Sequence, residues 1–164
     1  MADLCPESLR KGWKMSSIAP PSHNRNQKST DNWITPILFR DRLGPFDLDP
    51  CSFAFHPWPF APNYYDAFGL MKQWEGFVWM NPPYGQQTGL WLEKLAAHGN
   101  GIAMIFARTE TRMFFDHVWS KASALLFVRG RVTFHLPDGK GSKAGHNSGG
   151  PTVLIGYGSL ADER

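Results

Sequence analysis

The amino-acid sequence predicts one α/β domain built on a mostly parallel sheet with an antiparallel edge near its C-terminus. Three short apolar runs alternate with segments of helical length between residues 77 and 128, a pattern typical of parallel strands buried on both faces. The last two apolar runs have no helix between them, so they predict the antiparallel edge. The chain has 164 residues, of which 42% are hydrophobic and 19% charged, and this favours a single globular core.

The first two elements are predicted from their end signals. Residues 35–44, "TPILFRDRLG", predict a helix, because Thr35 can cap it, Pro36 suits its first turn and Gly44 ends it. Residues 45–50, "PFDLDP", are apolar at alternate positions and end in proline, so they predict a strand.

A proline-rich aromatic segment separates these elements from the alternating region. Residues 51–70 carry three prolines among aromatic residues, so we expect an ordered loop without helix or strand. The remaining predicted elements are strands at 77–80, 101–107, 124–128, 132–135 and 153–157, and helices at 88–97 and 110–121. The glycine-rich stretch 139–150 predicts a flexible loop. Its lysines lack the spacing of a phosphate-binding loop and do not indicate ATP.

The chain ends and the cysteines bear on domain organisation and localisation. Residues 1–30 are polar and predict a flexible tail, which leaves residues 31–164 as one domain. Cys5 and Cys51 are the only cysteines and indicate a reducing compartment without a structural disulfide. No apolar run is long enough for a membrane span or a secretory signal, so we expect a cytoplasmic protein.

Charge and histidine spacing limit the classes of partner. The net charge of +3 and the isoelectric point of about 9.0 permit a nucleic-acid partner without requiring one. The six histidines are scattered singly, and no CxxC or HxxxH spacing occurs, so we expect no metal site. The aromatic fraction of 14% supplies flat faces for packing, for base stacking, or for both.

The stretch "FVWMNPPYG" places a polar corner directly after a predicted buried strand. Ligands of open α/β sheets bind beyond the carboxyl ends of strands. Pro82 and Pro83 have no N–H, so the backbone there is rich in acceptors, and the Asn81 side chain adds a carboxamide oxygen. Tyr84 supplies a flat ring, and Gly85 permits close approach.

This combination of acceptors and a ring suits a planar exocyclic amine. The lone pair of such an amine is delocalised into its ring, which makes it a poor nucleophile. Accepting its two N–H bonds favours a tetrahedral nitrogen with a free lone pair, and this stabilises the transition state of methyl transfer. The alternative is that Asn-Pro-Pro-Tyr-Gly only stops a strand and turns the chain.

A methyl donor needs its own pocket, and the strand at residues 45–50 ends in suitable groups. Asp49 would emerge at the carboxyl end of that strand, where its carboxylate could meet an ammonium group or ribose hydroxyls. The other candidates for this pocket are Trp33, Thr35, Pro36 and Asp66. A turn, a helix cap and a solvated loop acid explain the same residues without any ligand. No GxGxxG stretch occurs, so a nicotinamide dinucleotide is not indicated.

Six stretches together resemble the phage-type DNA N6-adenine methyltransferase (Dam) family: "DNWITP", "FDLDPCS", "NYYDAFGL", "FVWMNPPYG", "ARTETRMFFDHV" and "VRGRVTF". Asn-Pro-Pro-Tyr is shared by many amino methyltransferases, whereas Trp-x-Thr-Pro and Arg-Gly-Arg-x-x-Phe mark this family. The resemblance runs from about residue 31 to residue 157. It implies a Rossmann-like methyltransferase fold that depends on S-adenosylmethionine as the methyl donor.

The resemblance also implies roles for individual residues. It assigns Asn81, Pro82, Pro83 and Tyr84 to the target adenine, Asp49 and Pro50 to the donor, and Thr35 and Pro36 to the donor's methionine part. Phe68 stands where the family usually has an acidic residue before Gly-Leu, and Asp66 is the nearby candidate to replace it. Cys51 and Ser52 replace the smaller residues common after Asp-Pro.

Methylation of an adenine inside double-stranded DNA requires the base to be flipped out, at a cost of roughly a few kcal/mol. Basic side chains must then hold the phosphates. The candidates are Arg108, Arg112, Arg129 and Arg131 near the ends of the later strands, with Lys140 and Lys143 in the loop 139–150. Ordinary surface arginines are the alternative interpretation. The chain has no room for a separate recognition domain, so the loops at 51–69 and 139–150 would contribute any sequence readout.

The leading hypothesis is therefore a site-specific DNA methyltransferase that acts on the N6 amino group of adenine. One rival is the same chemistry on RNA or on a protein amide, since Asn-Pro-Pro-Tyr suits those amines too. A second rival is a non-catalytic DNA-binding protein on a decayed methyltransferase fold. The resemblance further implies a phage or prophage protein of a bacterial cytoplasm, with a part in restriction and modification.

Overall fold

The structure is a computed structural model that describes residues 33–53, 56–136, 138 and 148–162. The predicted tail at 1–30 and residues 139–147 of the predicted loop at 139–150 lie outside these residues. The helices are α1 (Ile37–Leu43), α2 (Thr88–His98), α3 (Arg112–Phe114), which continues into a π-helix (Phe115–Trp119), and α4 (Ser159–Asp162). The strands are β1 (Leu48–Asp49), β2 (Asn63–Tyr64), β3 (Val78–Met80), β4 (Gly101–Phe106), β5 (Ala124–Phe127) and β6 (Thr152–Tyr157).

The six strands form one sheet in the order β2-β1-β3-β4-β6-β5. β1 pairs in parallel with both β2 and β3, and β3 pairs in parallel with β4. The carboxyl ends of these four strands therefore lie at one edge of the sheet, where ligands of such sheets bind. The predicted α/β class is confirmed.

The predicted antiparallel edge is wrong in its position. β6 is the antiparallel strand, and it lies inside the sheet between β4 and β5. Two antiparallel pairings in succession make β5 parallel to β4, so β5 is a parallel edge strand. β6 is buried along its whole length, which explains this position, because an apolar strand with two buried faces is typical of a sheet interior.

Side chains of the central strands alternate between two apolar layers, one on each face of the sheet. From β4, Ala103 and Ile105 enter the layer covered by α2 and the π-helix, which we call layer A. Ile102 and Met104 enter the layer covered by aromatic loop residues, which we call layer B. This period of two is what a strand dictates. The sheet is thus buried on both faces, as its continuous apolar runs predict.

The predicted helix at 110–121 is shorter and partly π-helical. It begins after Thr111, whose hydroxyl accepts a hydrogen bond from the Phe114 N–H at 3.4 Å. Its second half widens to a π-helix, and the Tyr157 hydroxyl donates to the His117 carbonyl there at 2.7 Å. A side chain that enters the backbone ladder is a known cause of such distortion. Phe114 and Val118 still reach layer A.

Two further sequence predictions differ from the structure. The segment 51–70 contains a strand, β2, directly after Pro62, and proline is tolerated there because β2 is an edge strand. Residues 132–135 form no strand beyond one bridge between Ile34 and His135. The apolar alternation there reflects the insertion of Val132 and Phe134 into layer B rather than a ladder.

We predict that Thr152→Val stabilises the protein. The Thr152 hydroxyl is buried and has no hydrogen-bond partner among the described residues, and an unsatisfied buried hydroxyl costs on the order of 1 kcal/mol or more. Urea unfolding should show a higher midpoint at an unchanged slope.

Thr88→Val is the matched control for this prediction. Its buried hydroxyl accepts from the Gly85 N–H at 3.0 Å and donates to the Pro83 carbonyl at 3.1 Å, so the same substitution should lower the midpoint there. A lower midpoint for Thr152→Val would contradict the prediction.

Candidate active site

A cleft opens at the carboxyl ends of β1 and β3. Asp49 is the last residue of β1, and Asn81 directly follows β3, so the parallel pairing of the two strands brings both side chains to it. The lining residues are Trp33, Thr35, Asp49, Cys51, Ser52, Phe53, His56, Trp79, Asn81 and Pro83. Five of the predicted site residues, Trp33, Thr35, Asp49, Asn81 and Pro83, thus lie together.

One wall of the cleft is the strap, the extended residues Trp33 to Thr35 that precede α1. Ile34 exchanges two backbone hydrogen bonds with His135, at 3.1 and 2.9 Å. The Trp58 indole N–H donates to the Thr35 carbonyl at 2.8 Å. The strap is therefore held on both sides by residues distant in sequence.

The Asn81 carboxamide has its two ends directed at different parts of the site. Its Nδ2 donates to Thr35 Oγ1 at 3.1 Å and makes a longer contact of 3.5 Å to the Trp33 carbonyl. Its Oδ1 accepts a hydrogen bond from the Tyr84 hydroxyl at 3.2 Å. Because a backbone carbonyl can only accept, the nitrogen faces the strap and the oxygen faces Tyr84.

Tyr84 is hydrogen-bonded to Asn81 of the cleft and lines a second, mostly apolar cavity. Its ring stacks on Phe106 with the ring centroids 4.3 Å apart and the planes 13° apart. Burial raises the pKa of the Tyr84 phenol well above its ordinary value, so the hydroxyl stays protonated and remains a donor to Asn81. The cavity beside the ring is lined by Tyr84, Gly85, Gln86, Thr88, Ile105, Phe106, Arg108 and Met113.

The backbone of the corner keeps one acceptor available. The Thr88 hydroxyl bonds to the Pro83 carbonyl and to the Gly85 N–H, which fixes the turn. Within the described part of the chain the Pro82 carbonyl accepts no hydrogen bond. The corner therefore has an unbonded carbonyl on Pro82, a buried residue that lines neither cavity, and Asn81 Oδ1, which the Tyr84 hydroxyl occupies at 3.2 Å.

Asp49 is a buried carboxyl group without a cationic partner among the described residues. It is 6% exposed, and its hydrogen bonds come from the Cys51 N–H at 3.2 Å and the Cys51 thiol at 3.7 Å. Burial raises the pKa of Asp49 from its ordinary 3.8 to about 7, with the Cys51 bonds acting in the opposite direction. A cationic ligand in the cleft would stabilise the ionised form.

The sequence did not point to His56, Phe53 or Trp79 as site residues, although all three line the cleft. His56 Nδ1 accepts from the Trp58 N–H at 3.3 Å, so its ring proton lies on Nε2. Burial, with the nearby Arg40 charge, lowers the pKa of His56 to about 4. A neutral imidazole thus belongs to the cleft wall.

Three predicted donor-site residues do not line the cleft. Pro36 precedes α1, and Pro50 lies behind the Asp49–Cys51 turn, where its carbonyl contacts Gly69 so closely that a Cβ on Gly69 would lie 1.8 Å from it. Asp66 is exposed. Phe68 is 74% exposed, and its backbone has a positive φ of 58°. The roles assigned to Pro36, Pro50 and Asp66 stay predictions.

The predicted phosphate-binding arginines lie toward the same edge of the sheet. Arg108 follows β4 and lines the Tyr84 cavity, and Arg129 and Arg131 follow β5; all three are exposed. Arg112 is exposed and forms an ion pair with Asp116 at 3.2 Å. Lys140 and Lys143 lie outside the described residues.

The described residues show neither a cluster of metal-ligating side chains nor a helix that could span a membrane. No group of three or more histidine, cysteine or acidic side chains is arranged to hold a metal ion in this part of the chain. Over the same residues no helix has the length and apolar character needed to cross a membrane.

The six-stranded α/β sheet, with a cleft and an acceptor-rich corner at its carboxyl edge, is consistent with a protein of methyltransferase type. A family model described as DNA N-6-adenine-methyltransferase (Dam) matches residues 21–160. The chain therefore belongs to that family, and the resemblance stated from its motifs is confirmed. Comparisons with curated proteins and with solved structures gave no match.

Because the pKa of His56 is lowered from 6.5 to about 4, this residue makes the folded protein more stable as the pH rises through that range. Against that rise, we predict a separate contribution from Asp49, which makes the ligand-free protein less stable between about pH 4 and about pH 7. The folded-state pKa of Asp49 lies above its unfolded value, so the folded state binds the extra proton, and the stability that this proton provides is lost as the pH rises through that range. Asp49→Asn should remove this loss of stability and stabilise the protein at neutral pH by on the order of a few kcal/mol.

Urea unfolding across that pH range measures this effect. Asp116→Asn removes an exposed carboxylate and keeps Asp49, so it should keep this loss of stability. An Asp49→Asn variant with the same pH dependence as the original protein would show that the buried carboxyl does not cause it.

Proposed function

We propose that the protein transfers a methyl group from S-adenosylmethionine to the N6 amino group of adenine in DNA. The observation that carries the proposal is the Asn81 carboxamide oxygen, which is turned away from the strap and toward the Tyr84 ring. It lies between the Asp49 cleft and the Tyr84 cavity, so a donor and an amine could meet there.

The cleft fits S-adenosylmethionine in charge and in surface. The donor carries an ammonium group and a sulfonium sulfur, and Asp49 is a buried carboxyl group that lacks a positive partner. The aromatic walls supplied by Trp33, Phe53 and Trp79 suit a purine and an aliphatic chain. When bound, S-adenosylmethionine supplies a methyl group made electrophilic by positively charged sulfur.

The corner after β3 would bind and activate the adenine amine. Asn81 Oδ1 accepts one N–H and the Pro82 carbonyl accepts the other, which draws the nitrogen toward a tetrahedral geometry and frees its lone pair. Positive charge then develops on nitrogen beside two oxygen acceptors, so binding strengthens in the transition state. In the ligand-free protein the Tyr84 hydroxyl holds the place of one N–H.

DNA would approach along the carboxyl edge of the sheet. The Tyr84 cavity has room for a base removed from the duplex, and a base inside a duplex could not reach Asn81, so the proposal includes base flipping. Tyr84 and Phe106, whose rings stack on each other, both line this cavity and give it aromatic surface. The exposed arginines after β4 and β5 would hold the phosphates.

The strand arrangement supports a Rossmann-like description within this proposal. Four strands run parallel with their carboxyl ends at the ligand edge, and helices or aromatic loops cover both faces. These are the general features of open α/β sheets that bind nucleotides. We take S-adenosylmethionine to be the nucleotide here because the family transfers methyl groups.

Transfer of tritiated methyl from S-adenosylmethionine to unmethylated duplex DNA, followed by nucleoside analysis, tests the proposal. Label in N6-methyladenine supports it. Label in RNA or protein in parallel reactions, with none in DNA, would show that the same reaction takes place on a different amine. Tight DNA binding without label in any of the three would favour a non-catalytic protein.

We predict that Asn81→Ala lowers kcat by at least about a hundredfold while the donor binds nearly as before, because an acceptor acting mainly in the transition state is lost. Asn81→Asp is the matched comparison, since it keeps an oxygen acceptor and loses the donor to Thr35. Titration calorimetry with S-adenosylmethionine measures binding and the tritium assay measures kcat. Normal turnover of Asn81→Ala would remove this side chain from the mechanism.

We predict that Arg131→Ala weakens DNA binding to a similar extent on all sequences and lowers the slope of log K against log salt by about one, as for one lost phosphate contact. Fluorescence anisotropy at several salt concentrations measures the slope. Arg42→Ala is the control. Arg42 lies in the last turn of α1, which leads into the amino end of β1, whereas the proposed DNA contacts lie at the carboxyl ends of the strands. Equal slopes for Arg131→Ala and the original protein would exclude the contact.

A further inference from the structure

We infer that Thr35 is a positioning residue that orients the Asn81 carboxamide, a role distinct from the donor contact that the family motif implies for it. The inference rests on the proposed function, since the oriented oxygen is the one that would accept the amine. Its basis is the hydrogen bond from Asn81 Nδ2 to Thr35 Oγ1 at 3.1 Å, between residues 46 positions apart.

An asparagine carboxamide has two nearly isosteric orientations, and only one of them serves the proposed chemistry. With Nδ2 toward the strap, Oδ1 faces Tyr84 and can accept an amine N–H. In the reversed orientation, Oδ1 would face the Trp33 carbonyl, and the two oxygens would repel each other. The N–H groups of Asn81 would then face the N–H groups of the amine, so that no hydrogen bond could form. The Trp33 carbonyl, which can only accept, therefore selects the productive orientation, and the Thr35 hydroxyl bonds the nitrogen that this orientation brings to the strap.

Of the two strap residues, Thr35 holds the selected orientation more firmly. Its bond to Asn81 is the shorter one, at 3.1 Å against 3.5 Å, and Thr35 is only 3% exposed, so water does not readily replace it. Its carbonyl is held by the Trp58 indole, and its neighbour Ile34 is bonded to His135. The hydroxyl is thus held in place by contacts that do not involve the catalytic corner.

Thr35→Val tests the inference, because it keeps the side-chain shape and removes the acceptor. We expect kcat to fall by about tenfold or more, which corresponds to the loss of one buried hydrogen bond. The dissociation constant for S-adenosylmethionine should change by less than about threefold. Thr35→Ser should restore most of kcat. Thr152→Val, the same change at a buried hydroxyl without a described partner, should leave kcat unchanged.

A spectroscopic measurement on the original protein tests the orientation without any turnover. The Asn81 side-chain NH₂ signals, assigned by their loss in Asn81→Ala, should exchange slowly with solvent, and exchange should quicken in Thr35→Val. Rapid exchange in the original protein would overturn the inference even if Thr35→Val does not fold. So would an unchanged kcat in Thr35→Val, or a loss of donor affinity that accounts for the whole defect. If the Asn81 NH₂ protons exchange slowly but the original protein methylates no DNA, the proposed function is wrong. The inferred orientation of the Asn81 carboxamide is then still supported.

Discussion

The parallel pairing of β1 with β3 is the constraint on which the candidate site depends. The two strands share one register pair, Leu48 with Val78, and Asp47 reinforces it. The Asp47 N–H donates to the Phe77 carbonyl at 2.8 Å, and its carboxylate accepts from the Phe77 N–H at 2.7 Å. Because the strands run in the same direction, these contacts bring Asp49 and Asn81 to one edge. A carboxyl group and a carboxamide 32 positions apart thus face a common cleft.

The cleft is built at a cost in stability, and the layers behind it offset that cost. A buried carboxyl group without a positive partner destabilises the ligand-free fold at neutral pH. Behind Asn81, Phe60 stacks on Trp79 at 4.5 Å between centroids and Phe46 stacks on Phe77 at 5.2 Å, so the strand ends rest on closely packed rings. Apolar burial of this kind supplies a large stabilising contribution, which lets a polar site remain preformed.

Local patterns in the sequence predicted the strands and helices well where burial was continuous, and less well where distant contacts decided the structure. β4 and α2 match their predicted bounds to within one residue. The apolar run of β4 and the amphipathic pattern of α2 are local features that show directly which residues are buried. The place of β6 inside the sheet, and the failure of residues 132–135 to form a strand, depend on which partner each segment finds. Likewise Asp49 and Asn81 were predictable as strand ends, whereas His56 reaches the cleft only through the folding of a proline-rich loop.

That loop also explains why the strap, which lacks regular structure, can serve a demanding geometry. Trp58 holds the Thr35 carbonyl and packs edge-on against His135 with the centroids 4.9 Å apart, so one side chain joins the strap to the segment that bridges Ile34. Much of the aromatic content of this region therefore serves packing, and only the Tyr84–Phe106 pair borders the apolar cavity at the corner. An acceptor that must be aimed within a few tenths of an ångström needs such support from rigid neighbours. The strap thus gains its precision from side chains that do not touch the reacting atoms.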